Sequence, residues 1–280
     1  MRLLKHKHAR IGALIICVSL IGGTGCITSA IIESARQKEA MQKYADQQKK
    51  TVDGYKVNAA KGDLFAITRL GLEYISGSQA LPQDIPAGIQ LLEQAVEKQY
   101  PLAEYSLGWL LLAGRDSYHW KALTTDQLPR QTERGIRLLK LSASRACAVS
   151  ETNDGRSGNT PAFDISKVYR EGLLVAKDFD QANLWLARSI IHCRYPNIYV
   201  IKSTFPTSKS APLQAKIDLM SWILLIPEDS ANAKKMAIDS QPVLASEDLA
   251  KAQTQAVHLR QIVLDSEKQY PAPPQPTNKP

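Results

Sequence analysis

Three eight-residue stretches of this chain align without a gap: Leu70 to Gly77 (LGLEYISG), Leu107 to Gly114 (LGWLLLAG) and Ile165 to Gly172 (ISKVYREG). Each opens on an aliphatic residue followed by a small one: Gly71, Gly108 or Ser166. Each carries a large apolar or aromatic residue four positions on (Tyr74, Leu111, Tyr169) and closes on glycine. Positions one, five and eight share a helical face, and a glycine after the last apolar turn suits a left-handed C-terminal cap. Repetition of this kind constrains a fold strongly, because each copy must bury its apolar face against the next.

A second helix is predicted after every stretch. Asp84, Gly88, Leu91 and Ala95 recur as Gln131, Gly135, Leu138 and Ser142, and again as Asp178, Ala182, Trp185 and Ser189, at identical spacing. Small residues at the second and fourth places allow close helix approach, and the large third residue fills the groove between helices. Asp84 and Asp178 stand where an N-cap would accept orphan backbone N–H bonds.

Together these residues resemble the Sel-one-like repeats, a branch of the tetratricopeptide-like helix-pair family. The first copy, Ala59 to Gln99, carries the signature at Gly62, Leu70, Gly71, Tyr74, Gly77, Asp84 and Ala95. The third, Phe163 to Ile190, carries it at Tyr169, Gly172, Asp178, Ala182 and Trp185. The middle copy keeps Leu107, Gly108 and Gly114, but Arg115 to Arg130 is an insertion and no Asp opens its second helix. The resemblance covers residues 57–195, half of the chain, and implies an all-α solenoid of helix-turn-helix repeats.

The flanks read differently. Residues 26–56 hold a polar helix, Glu33 to Lys50, rich in Gln, Lys and Ala. Ala146 to Thr160 is a loop between copies two and three, and Tyr195 to Ser210 reads as extended. Within 196–270, helices are predicted over Leu213 to Ile226, near Ser230 to Ile238 and over Ser246 to Gln269, the last with Ser246 as N-cap. This region is expected to close the solenoid as a divergent helix pair. Residues 271–280 contain five prolines and should form an extended tail.

Residues 1–25 read as an address. Arg2, Lys5, Lys7 and Arg10 precede an apolar stretch, Ile11 to Ile21, and then Gly22-Gly23-Thr24-Gly25-Cys26. That layout is a secretory signal, and Thr24-Gly25-Cys26 resembles the bacterial lipoprotein signal, with Gly23 where that family carries a large aliphatic residue. The resemblance implies cleavage before Cys26 and lipid on its thiol. Two other readings stand beside it: leader-peptidase cleavage at Thr28-Ser29-Ala30, or retention of Ile11 to Ile32 as an uncharged anchor close to the ~20 residues that span a bilayer. All three place residues 33 onward outside the cytoplasm, on the periplasmic side of a bacterial envelope. In such an oxidising compartment Cys147 and Cys193 are candidates for a disulfide, the alternative being two unpaired thiols.

Charge and motifs narrow the function. The formal charge is +8 over 280 residues, and without the first 25 it falls to +4, with no basic cluster of the kind a phosphate backbone requires. Nucleic acid is therefore not expected as a partner. His119, His192 and His258 lie in separate elements, no GxSxG nucleophile motif occurs, and no CxxC offers metal-ligand spacing. No enzyme activity, metal or cofactor is expected; Asp178 and Asp180 read as a helix cap and a solvated acid. Tyr118, His119 and Trp120 fall in the insertion, where exposed aromatics would form a protein contact; the alternative is that Trp120 covers a gap in the degenerate copy. A helix-pair solenoid offers an extended binding surface, so the expected partner is a protein. The family resemblance implies an immunity protein against a phospholipase-type toxin of type VI secretion, held at the membrane by lipid or anchor. The alternative is an envelope scaffold or regulatory adaptor.

Overall fold

The computed structural model describes residues 25–115, 123–150, 160–193, 211–227 and 242–274, with residues 25–31 described for their backbone alone. They form α1 (Gly25–Ala59), α2 (Leu64–Ser76), α3 (Ile85–Glu97), α4 (Pro101–Ala113), α5 (Thr132–Arg145), α6 (Pro161–Glu171), α7 (Phe179–Cys193), α8 (Leu213–Ile223) and α9 (Ser246–Ser266). Among the described residues no β-strand forms, and the chain is all-α.

Two units divide at Gln48 and Lys49. The first contains most of α1, whose side chains are largely exposed, Tyr44 at 66%, with pairs such as Lys43 to Glu39 at 2.8 Å along its surface. This helix is longer than the Glu33 to Lys50 segment its polarity marks out, and it runs through the expected boundary at residues 56 and 57. Its last turns belong to the second unit, where Val52 is buried with Leu70 and Leu81 and Tyr55 meets Phe65 edge-on at 6.3 Å.

In the second unit the helices pack as pairs, α2 with α3, α4 with α5, α6 with α7 and α8 with α9. Within the first pair the backbones approach so closely that a Cβ on Gly88 would stand 2.5 Å from the Gly71 carbonyl oxygen. Gly135 and Gly108 repeat the arrangement at 2.8 Å in the second pair. Ser166 and Ala182 take these places in the third. Gly114 and Gly172 end their helices in the left-handed region, and Gly77 turns out at φ 70° and ψ 152°, also a glycine conformation.

One hydrogen bond shows that all three pairs share a register. The backbone N–H of Asp84 donates to the Tyr74 carbonyl at 2.8 Å, that of Gln131 to Leu111 at 3.0 Å, and that of Asp178 to Tyr169 at 3.1 Å. The degenerate copy therefore keeps the fold of its neighbours. Successive second helices also touch at matching places: Arg134 donates to Glu93 and Lys140 to Gln181, each pair 41 residues apart. Apolar clusters fill the seams. Leu72, Leu92, Leu107 and Leu138 join the first two pairs, and Leu139, Ile165 and Trp185 join the next two. Leu186 and Ile190 of α7 pack with Trp222 of α8 and Leu259 of α9, so the last pair closes the stack.

Two expectations need correction. Ser246 does not cap α9: it is the first helical residue, Ala245 holds the N-cap place, and no side chain makes the capping bond. The insertion, read as carrying exposed aromatics, is also partly buried. Leu123 and Leu128 are buried in the seam beside Leu110 and Leu138, and Arg130 donates to the carbonyls of Leu128 and Leu123 at 2.7 and 2.5 Å. Apolar residues at 123 and 128 fold back because they bury their side chains in the cluster of Leu72, Leu92, Leu107 and Leu138 that joins the first two pairs. The extended reading of Tyr195 to Ser210 and the helix near Ser230 to Ile238 fall outside the described residues.

Candidate binding groove

The first helices of copies two and three, α4 and α6, are separated by an open cavity of about 460 Å³. Trp109, Ala113 and Val168 supply apolar wall, Asp164 and Lys167 polar wall, and Arg115, Glu171, Leu173 and Leu174 the remainder. The side chains are set by helical phase. Trp109 lies four residues after Tyr105, the two rings meeting edge-on at 6.3 Å, and Lys167 and Glu171 repeat that step on α6. Gly172 then leaves the helix through its left-handed turn and pushes Leu173 out, 80% exposed.

A polar link ties the groove's two sides. Tyr105 donates its hydroxyl to Asp164 Oδ2 at 2.8 Å. Burial raises the Asp164 pKa, while the Tyr105 bond and the Lys167 charge pull it down. Next to this link, Glu104 is 2% exposed and takes Arg145 Nη1 at 2.6 Å. Burial pushes its carboxyl up to about 7 against the pull of Arg145. Among the described residues no group of three His, Cys, Asp or Glu could hold a metal ion. What such a groove can do is seat an apolar side chain of another protein between charged rims.

The sequence-named residues are dispersed. Leu70, Leu107, Ala95, Ala182 and Trp185 are buried core, the last four fully. Asp84 and Asp178 accept the N–H groups of Ala87 and Gln181 at 3.0 and 2.9 Å, as capping residues. Cys147 and Cys193 are joined, with Cα atoms 5.0 Å apart. Cys26 lies in the first turn of α1. Tyr118, His119 and Trp120 lie outside the described residues, as does most of Ile11 to Ile32; no described helix is long and apolar enough to cross a membrane. Sequence reasoning missed the groove and also Arg188, an arginine 1% exposed on α7. Signals for both existed. A Leu-Leu pair directly after a helix-ending glycine has no apolar face to join, and an arginine flanked by Leu186, Ala187 and Ile190 must find acceptors within the core.

These features define a helix-pair repeat protein. No protein-family model matches the chain, and no curated protein matches it in sequence. Among solved structures it is similar to a Sel1 repeat protein from Oxalobacter formigenes, at 16% identity and a TM-score of 0.34, over 69% of this chain and 65% of that one. It is also similar to a protective antigen of uropathogenic Escherichia coli strains displaying an SLR fold, at 11% identity and a TM-score of 0.34, over 78% of this chain and 43% of that one. The chain thus spans slightly under two thirds of the first protein's length and less than half of the second's.

Proposed function

We propose that the chain is a non-enzymatic protein-binding solenoid that receives its partner in the groove between α4 and α6. The carrying observation is the rim: Leu173, 80% exposed, stands beside Leu174 at the mouth of a cavity walled by Trp109 and Val168. Isolated exposed leucines are unremarkable, whereas an apolar pair bordering an apolar recess is the usual composition of a protein contact. The insertion begins at Arg115 on the same rim, and we assign its aromatic residues, Tyr118 and Trp120, to the same contact.

The finer reading is that this partner is a secreted phospholipase-type toxin and that the chain is its immunity protein. It acts at the periplasmic side of a bacterial membrane, tethered by lipid on Cys26. Tethering supports that role because a toxin acting on bilayer lipid is met where it works, at a raised effective concentration. The purified chain should bind such a toxin and stop its lipid hydrolysis at equimolar ratio. Tight binding of a protein partner without inhibition would replace the immunity role by the scaffold role, and hydrolysis of an envelope substrate by the chain itself would sink both. Labelling cells with a fatty-acid analogue should mark the wild type and leave Cys26→Ser unmarked; equal labelling would remove the lipoprotein tether.

A further inference from the structure

The end of α7 is held from two sides. On one, Cys193, its last residue, is bonded to Cys147, which follows α5 after Ala146. On the other, two α7 side chains one turn apart reach the segment that leaves α9. Arg188 donates from Nη1 to Ser266 Oγ at 2.7 Å and from Nη2 to the Pro271 carbonyl at 2.9 Å. His192 Nε2 lies 3.2 Å from Glu267 Oε1. Between these contacts Tyr270 packs edge-on against Trp185, with ring centroids 5.3 Å apart. The Lys140 ammonium of α5 sits 5.7 Å from the Tyr270 ring and 5.8 Å from that of Trp185. Residues 266–271 thus form a clasp across α5 and α7.

We propose that this clasp is redox-sensitive: the Cys147–Cys193 bridge fixes the last turn of α7 against the end of α5, and only in that position does His192 join Arg188 in gripping residues 266–271. The last four carbonyls of a helix lack intrahelical partners, so its final turn opens more easily than its middle. His192 lies in that turn and Glu267 depends on it, whereas Arg188 stands one turn further in. The bridge is placed to suppress this fraying, and the Cys147 side is itself held, with Ala146 N–H donating to the Ser142 carbonyl at 2.9 Å and Val149 buried. Reduction by a dithiol balances simply. Two electrons and two protons pass to the protein, the S–S bond breaks into two thiols, and the reductant is left as its own disulfide. The clasp would then close only after the cysteines are oxidised.

Amide hydrogen exchange on the full chain, oxidised and dithiol-treated, tests this. Residues 262–274 should exchange on the order of tenfold faster in the reduced chain while α2 and α3 stay unchanged. Acceleration confined to the peptides holding the cysteines, or shared equally by α2 and α3, would overturn the proposal. The double variant Cys147→Ser with Cys193→Ser must reproduce the pattern without reductant. Coupling is reciprocal, so Glu267→Ala must leave a larger reduced fraction at a fixed dithiol concentration; an unchanged fraction would equally overturn it.

Discussion

Gly88 and Gly54 are both helical glycines, and their surroundings give them opposite expected effects. A Cβ on Gly88 would meet the Gly71 carbonyl at 2.5 Å and Ile75 Cγ1 at 2.6 Å, whereas one on Gly54 meets nothing within 4 Å. Backbone cannot yield cheaply, so Gly88→Ala should destabilise the fold by about 1–3 kcal/mol. Gly54→Ala should stabilise it by roughly 0.5–1 kcal/mol, since alanine loses less backbone freedom in a helix. Urea unfolding of both variants checks the signs. Glu104 makes a second residue-scale prediction. Its pKa is raised from 4.5 to about 7 in the folded chain, chiefly by burial, so the folded state binds a proton more tightly than the unfolded one. The stability this group contributes is therefore complete below about pH 4.5, declines as pH rises and levels off above about pH 7. In paired urea titrations, wild type should lose stability relative to Glu104→Gln across that window; a constant difference would mean that Arg145 fully offsets the burial.

Helix ends decide the element scale. Asp84 and Asp178 each hold an N–H of the first turn, and Asp84→Ala or Asp178→Ala should cost about 1 kcal/mol. Ser246 has the right residue type at the start of α9 but makes no capping bond, so Ser246→Ala should be close to neutral in the same melting series. A loss at Ser246 equal to that at Asp84 would contradict the observed start of α9. Asp63 shows the converse case. It accepts the Ala66 N–H at 3.0 Å and caps α2, a role that the repeat comparison passed over because no counterpart marks it in the other copies.

At the scale of the whole molecule, the proposed binding surface is the groove rim together with the insertion. Leu173 is exposed and contributes little to the core, so Leu173→Asp should leave helicity and melting unchanged while weakening partner affinity by more than about 1 kcal/mol. Tyr118→Ala with Trp120→Ala should weaken it by a similar amount. Isothermal titration with the partner and circular dichroism on the same samples distinguish lost contact from lost fold. If the aromatic variant melts early, those aromatics serve the core and the groove alone carries binding.

The repeat was legible in the chain because helix pairing imposes small residues at fixed intervals: Gly71 with Gly88 and Gly108 with Gly135 must recur wherever two backbones touch. Caps at Asp84 and Asp178 and the buried Trp185 follow from the same local rules of phase and hydrogen bonding. Tertiary structure alone decided the rest. Leu123 and Leu128 turn inward to join Leu72, Leu92 and Leu107, an association that no local pattern records. Arg188 is buried because acceptors 78 and 83 residues away in sequence come to it. The groove exists because α4 and α6 belong to neighbouring pairs whose separation depends on every contact in the stack. Short-range spacing fixes helices and their partners within a pair; distances between pairs are sums over the whole core, and the proposed binding surface is made of those distances.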